Sequence, residues 1–149
     1  MNKLIKSLPL IAVFFATSAL AEGDLSRADP KEIVIEMGTD QGVMYFKPEH
    51  IELQTGKAYK IVLRNLDDEK HEFAGPELVG KVYSRKVEVT SLDGKMIAEV
   101  KGTVSEIEVG SMRQVEWYIV PIQTGNNIPI TCDIDDHNAR GMHGSITIK

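Results

Sequence analysis

The chain is poor in cysteine: a single thiol, Cys132, stands among 149 residues. One cysteine excludes the intramolecular disulfides that small exported domains commonly use. A thiol without a partner has three remaining roles: a buried inert side chain, a reactive nucleophile or a metal ligand.

Positive charge is also scarce, with 17 Lys and Arg residues against 22 Asp and Glu residues. Contact with phosphates needs a basic face, so we expect no nucleic-acid partner. The sequence contains no internal repeat, no low-complexity tract and no pattern typical of a long helix.

Long apolar runs are missing except near the N terminus. Lys3 and Lys6 precede an apolar run from Leu8 to Leu20, and a small-x-small cleavage site ends at Ala21. The run is too short to span a bilayer. We therefore expect residues 1–21 to be a secretory signal that is removed, leaving a periplasmic protein without a membrane span. Residues 22–149 then form a single domain in which 15 basic face 22 acidic residues, a net charge of about −7.

Short β-branched runs separated by Gly, Pro and Asn predict strands through most of this domain. In "HIELQTGKAYKIVLRN" the apolar residues alternate on both sides of a Thr-Gly turn, which predicts a half-buried hairpin. A second hairpin is predicted at Asp93-Gly94, and "RQVEWYIVPI" indicates a strand covered on both faces. Seven or eight short strands predict an all-β, Greek-key β-sandwich.

The stretch "TCDIDDHNARGMHG" concentrates chemically distinctive residues near the C terminus. Cys132, His137 and Met142 follow one another at intervals of five. On a helix that interval rotates a side chain by about 140°, and on a strand it reverses the face. Only a curled loop lets all three point inward, and Asn138 and Gly141 tolerate such curling.

Thiolate, imidazole and thioether together form a soft donor set. Zinc, calcium and magnesium sites do not use methionine, whereas copper sites combine thiolate and imidazoles with a weak methionine. That set needs another histidine, and His71 is the best candidate because it follows the strand "KIVLRN" and an acidic turn. His50 opens a strand and His143 adjoins Met142, so we favour the interpretation that both lie outside the site. The influence of His143 stays open, and a protein that delivers copper could recruit either histidine.

These motifs resemble those of the cupredoxins, or blue copper proteins. The resemblance depends on "RNLDDEKHEF", on "C-x4-H-x4-M-x-G", and on "YFKPEHIELQTGKAYKIVLRN" upstream. It implies one copper ion with His71, Cys132 and His137 as equatorial ligands and Met142 as the weak axial ligand. It also implies one-electron transfer as the activity, with a solvent-facing edge of His137 as the electron port.

One position departs from the resemblance. Glu72 follows the first histidine, where many cupredoxins carry a short polar residue that ties the two ligand loops together. The acidic groups Asp67-Asp68-Glu69 and Asp135-Asp136 are interpreted as solvated turns that adjoin the ligands and could affect the approach of a partner.

Alternative functions fit the residues less well. A Cys–His nucleophile would leave His71 and Met142 without a role. Copper oxidases and nitrite reductases need further paired histidines, and none of the four histidines forms a His-x-His pair. We therefore expect a monomeric electron carrier, not an enzyme, that meets a redox partner protein transiently. A periplasmic copper-binding or copper-tolerance protein, which sequesters copper or exchanges it with a donor or acceptor, would use the same ligands.

Overall fold

The computed structural model describes residues 25–91, 93 and 95–149, so the predicted signal segment lies outside the described residues. A short 3-10 turn spans Leu25–Arg27, and one helical turn, α1, spans Pro76–Val79. The strands are β1 (Lys31–Asp40), β2 (Val43–Lys47), β3 (His50–Leu53), β4 (Tyr59–Asn65), β5 (His71–Ala74), β6 (Val82–Thr90), β7 (Met96–Val100), β8 (Glu106–Val109), β9 (Gln114–Pro121), β10 (Gly125–Thr131) and β11 (His143–Ile148).

These strands form two mixed sheets. The six-stranded sheet has the order β2-β1-β4-β9-β6-β7, and the five-stranded sheet has the order β3-β11-β10-β5-β8. Within them, β1 runs parallel to β4 and β3 runs parallel to β11, while the other neighbours are antiparallel. The predicted β-sandwich is confirmed.

The described residues contain eleven strands, more than the seven or eight predicted. The four-residue strands β5 and β8 pair with each other at one end of their sheet. Strands this short offer too few residues for an alternating pattern, so the sequence did not predict β5 as a strand. That difference matters because β5 carries His71.

The hairpin predicted between β3 and β4 is wrong. β3 pairs with β11 in one sheet, and β4 pairs with β1 and β9 in the other. The Thr-Gly turn therefore crosses between the layers. Alternation shows which residues face the core but does not show which strand lies beside them. The second hairpin is supported by the antiparallel pairing of β6 with β7, although Gly94 is not described.

Aromatic side chains join the two layers in the core. Phe73 of β5 lies between Phe46 of β2 and Trp117 of β9, with ring centroids 5.8 Å and 6.4 Å away in edge-to-face arrangements. Such pairs contribute about 0.5–1.5 kcal/mol each beyond burial. As predicted, β9 is covered on both faces: Trp117 faces the core, and Glu116 on the outer face accepts a hydrogen bond from the Tyr118 hydroxyl at 2.8 Å.

No helix in the described part of the chain is long and apolar enough to cross a membrane.

Candidate metal centre

His71 and Cys132 are brought together by neighbouring strands. His71 is the first residue of β5, and Cys132 follows the last residue of β10. The two strands are antiparallel, with Thr131 opposite Ala74. Both side chains are fully buried, so the sheet itself sets their approach.

The loop from Cys132 to Met142 closes on itself. The backbone N–H of Cys132 donates to the carbonyl of Met142 at 3.1 Å, and the N–H of Met142 donates to the carbonyl of His137 at 3.0 Å. Gly141 has φ of +111°, and a Cβ there would lie 2.8 Å from the carbonyl oxygen of Met44. A side chain at this position would therefore press on the neighbouring strand.

The predicted curled loop is confirmed. Of the two residues predicted to allow its curvature, Asn138 and Gly141, only Gly141 has a positive φ. Gly141 adopts a positive φ as the sequence indicated, whereas the second positive φ falls on Asp135, at 45°, and not on Asn138. Aspartate tolerates this region for the same reason as asparagine, because its short side chain can hydrogen-bond locally.

Three donor atoms converge at the centre of this loop. Nδ1 of His137 lies 3.3 Å from Nδ1 of His71 and 3.4 Å from Sγ of Cys132, and the three ligand atoms all lie within 4.8 Å of one another. Nitrogen and sulfur bonds of about 2.0–2.3 Å in a trigonal arrangement separate donors by about 3.5–3.7 Å. The spacing therefore suits one metal ion bound by all three.

Met142 is fully buried at the end of the same loop, within the hydrophobic core. Its backbone is fixed by the hydrogen bonds that close the loop. The role of its sulfur as a weak axial ligand stays a prediction.

The thiol of Cys132 is electrostatically distinctive. Burial raises the pKa of the thiol. The backbone N–H of Glu72, which donates a hydrogen bond to Sγ at 3.3 Å, lowers the pKa, but the effect of burial is larger. Without a metal the side chain is a protonated thiol at neutral pH. A bound metal ion would replace that proton, because thiolate is the coordinating form.

The outward nitrogens of both histidines face carboxylates. Nε2 of His71 lies 2.7 Å from Oδ2 of Asp67, and Nε2 of His137 lies 3.7 Å from Oε2 of Glu69. Burial tends to raise the pKa of Asp67, but hydrogen bonds from Thr39 and His71 together lower it. Only 5% of the His137 side chain is exposed, so the solvent-facing edge expected from the resemblance is almost covered.

The interpretation of Asp67-Asp68-Glu69 as a solvated turn is therefore only partly right. Asp68 and Glu69 are exposed, but Asp67 is half-buried against His71. The available signal was the spacing of four residues between Asp67 and His71, which is too common to be decisive alone.

Glu72 ties the two ligand loops together although it is longer than the residue expected there. Its carboxylate accepts a hydrogen bond from the backbone N–H of Asp133 at 3.2 Å. The buried group of His71, Cys132 and His137 does not include the other two histidines. Exposed His50 contacts Ser145 through Nδ1 at 2.8 Å, and His143 is exposed at the start of β11.

Comparisons with known proteins place the fold. No family model matches the sequence, and no curated protein matches it. The structure is similar to that of a multicopper oxidase from Campylobacter jejuni, with a TM-score of 0.61 and 18% identity over 81% of this chain and 30% of that one. A copper nitrite reductase from Nitrosomonas europaea gives a TM-score of 0.61 and 11% identity over 80% and 49%. A multi-copper oxidase from Pediococcus acidilactici gives 0.62 and 16% identity over 93% and 30%.

The described chain therefore has a cupredoxin-like β-sandwich fold. It spans only about a third to a half of the length of these neighbours. The candidate metal site of this chain is the buried group of His71, Cys132 and His137.

Proposed function

We propose that the chain is an exported mononuclear type 1 copper protein that carries one electron at a time between redox partners. His71, Cys132 and His137 would hold one copper ion, with Met142 as the weak fourth ligand. The observation that carries this proposal is the buried convergence of two imidazole nitrogens and one sulfur within 4.8 Å. Fold neighbours that are named as copper enzymes add support.

Copper bound in such a set would supply a one-electron change between Cu(I) and Cu(II). The role of the chain is to keep its donors in place during that change. His71 and Cys132 are held by paired strands, and His137 by the hydrogen-bonded loop between Cys132 and Met142. Donors fixed in this way need little reorganisation, which favours fast electron transfer.

The geometry disfavours nucleophilic chemistry at Cys132. The thiol is 0% exposed, and its raised pKa keeps it in the less reactive protonated form. Among the described residues, the only grouping of His, Cys or acidic side chains that could hold a metal is this one. Burial and protonation of the thiol support a carrier over an enzyme with a cysteine nucleophile.

A copper-sequestering or copper-delivering protein is the competing possibility. Burial of all three donors favours retention over release, because an ion exchange with a partner or chelator needs an accessible site. We further propose a periplasmic location, a monomeric state and a transient redox partner. The export signal indicated by residues 1–21 and the acidic composition support the first and last of these proposals.

The test is to load the purified protein lacking residues 1–21 with Cu(II) and to record visible absorption and electron paramagnetic resonance together. One equivalent of copper with an intense thiolate-to-copper band is expected. The protein should also keep its copper through repeated oxidation and reduction in the presence of a chelator. Loss of copper in each cycle would favour a delivery function, and absence of the band would exclude a type 1 site.

A further inference from the structure

The carboxylate of Asp67 is surrounded by hydrogen-bond donors beside the candidate metal site of His71, Cys132 and His137. Its Oδ2 lies 2.7 Å from Nε2 of His71 and accepts a hydrogen bond from Oγ1 of Thr39, also at 2.7 Å. Its Oδ1 accepts a hydrogen bond from the backbone N–H of Thr39 at 3.1 Å. Both oxygens are therefore engaged, and one of them faces the ring that carries a metal donor.

The position of Asp67 does not depend on His71. The N–H of Asp67 donates to Oδ1 of the buried Asn65 at 2.9 Å, and the carbonyl of Asp67 accepts a hydrogen bond from Oγ of Ser111 at 3.1 Å. Nδ2 of Asn65 in turn donates to the carbonyls of Glu69 and Val109 at 2.8 and 2.9 Å. The turn is thus fixed before any ligand binds.

This contact determines which nitrogen of His71 carries the proton. An ionised carboxylate accepts hydrogen bonds and cannot donate them, so Nε2 must be the protonated nitrogen. In the neutral ring, Nδ1 then presents its lone pair, and Nδ1 is the atom that lies 3.3 Å from Nδ1 of His137. The contact of Nε2 with Asp67 therefore leaves Nδ1, on the other side of the ring, unprotonated and able to bind a metal ion.

We propose that Asp67 is a positioning residue of the copper site, which fixes the tautomer and orientation of His71 and increases the donor strength of its Nδ1. The negative charge behind the ring stabilises the more highly charged Cu(II) state more than Cu(I). Asp67 therefore increases Cu(II) affinity and lowers the reduction potential. The copper part rests on the proposed function, whereas the tautomer is a property of the metal-free chain.

The decisive variant is Asp67→Asn. An amide has only one acceptor oxygen, so it cannot accept from the backbone of Thr39 on one side and from His71 on the other. Asp68→Asn is the matched control, because it removes the same charge from the next, exposed residue of the same turn. Thr39→Val is a milder variant that keeps the carboxylate and removes one of its donors.

Three measurements are made on each protein: the nitrogen-15 imidazole spectrum without metal, Cu(I) and Cu(II) affinities by chelator competition, and the reduction potential. Wild type and Asp68→Asn should show His71 protonated at Nε2. Asp67→Asn should lose this preference, bind Cu(II) about 10–100-fold more weakly and have a higher potential. Thr39→Val should shift in the same direction by less.

The proposal is overturned if Asp67→Asn keeps the Nε2–H tautomer and its copper affinities match those of Asp68→Asn. If Asp67→Asn does not fold, Thr39→Val decides: an altered His71 signal with weaker Cu(II) binding supports the proposal, and wild-type values overturn it. A wild-type protein that binds copper without an intense visible band would contradict the proposed function alone, since the metal-free spectra still test the role of Asp67.

Discussion

The backbone N–H of Glu72 donates a hydrogen bond to Sγ of Cys132 at 3.3 Å, across 60 positions of sequence. Glu72 directly follows His71, so one residue connects the first histidine of the cluster to its sulfur. Hydrogen bonds to a metal-bound sulfur are among the features that set the potential of copper–thiolate sites. This donor is a backbone group, so among substitutions at Glu72 only proline, which lacks the N–H, removes it.

Replacing Cys132 with Ser should abolish the intense visible band of the copper-loaded protein. The band requires charge transfer from a thiolate, and the chain has no other cysteine to supply one. Absorption spectra of the two proteins at equal copper content make the comparison. An undiminished band in the variant would show that Cys132 is not the sulfur ligand.

The thiol of Cys132 should make the metal-free protein less stable at alkaline pH. Burial raises its pKa in the folded state. The stabilising contribution is therefore complete below the pKa of the unfolded thiol, about 8.5, and is lost as the pH rises through the higher folded value.

Urea unfolding of metal-free wild type and Cys132→Ala between pH 7 and pH 10 measures this effect. Wild type should lose free energy of unfolding relative to the variant as the pH rises. Parallel curves would mean that the thiol is not perturbed by folding.

Gly141→Ala should destabilise the ligand loop more than an equivalent change elsewhere. A Cβ at Gly141 would lie 2.8 Å from the carbonyl oxygen of Met44, at φ of +111°. Gly56 offers the control: its φ is +74°, but a Cβ there has no atom within 4 Å.

We expect Gly56→Ala to cost about 1 kcal/mol from its backbone conformation and Gly141→Ala about 2–3 kcal/mol. Chemical denaturation of both variants gives the difference, and Gly141→Ala should also weaken copper binding. Equal losses of stability in the two variants would argue against a close approach between the loop and β2.

Met142→Leu should separate the axial role of Met142 from its packing role. The side chain is fully buried, and this volume-conserving exchange should cost less than about 1.5 kcal/mol. If the thioether is the weak axial ligand, its loss should leave the visible band in place and raise the reduction potential. Voltammetry of the copper-loaded variant is the measurement, and an unchanged potential would assign Met142 to the core alone.

The sequence predicted the closed shape of the segment from Cys132 to Met142 because the residues that define it lie close together in the chain. The five-residue spacing of Cys132, His137 and Met142 excluded a helix or a strand, and the structure has a closed loop there. His71 was identified by elimination among four histidines, and the structure places it beside Cys132 and His137. Whether these residues bind a metal ion stays a prediction.

Features that depend on distant pairing were not accessible in this way. The partner of β3 lies at the far end of the chain, in β11, and local alternation carries no information on it. Asp67 looked like any acidic residue in a turn because its role depends on Thr39, 28 positions earlier. Its half-buried position could be recognised only after β1 and β4 were known to lie side by side.

The contacts of Asp67 also concern the mechanics of the sandwich. Thr39 belongs to β1 in the six-stranded sheet and His71 to β5 in the five-stranded sheet, so a single carboxylate joins the two layers. Any sliding of one layer over the other would pull on the imidazole ring. Pressure, or mutations in β1 that lie far from any ligand, should therefore shift the visible absorption of the bound metal by changing the orientation of His71.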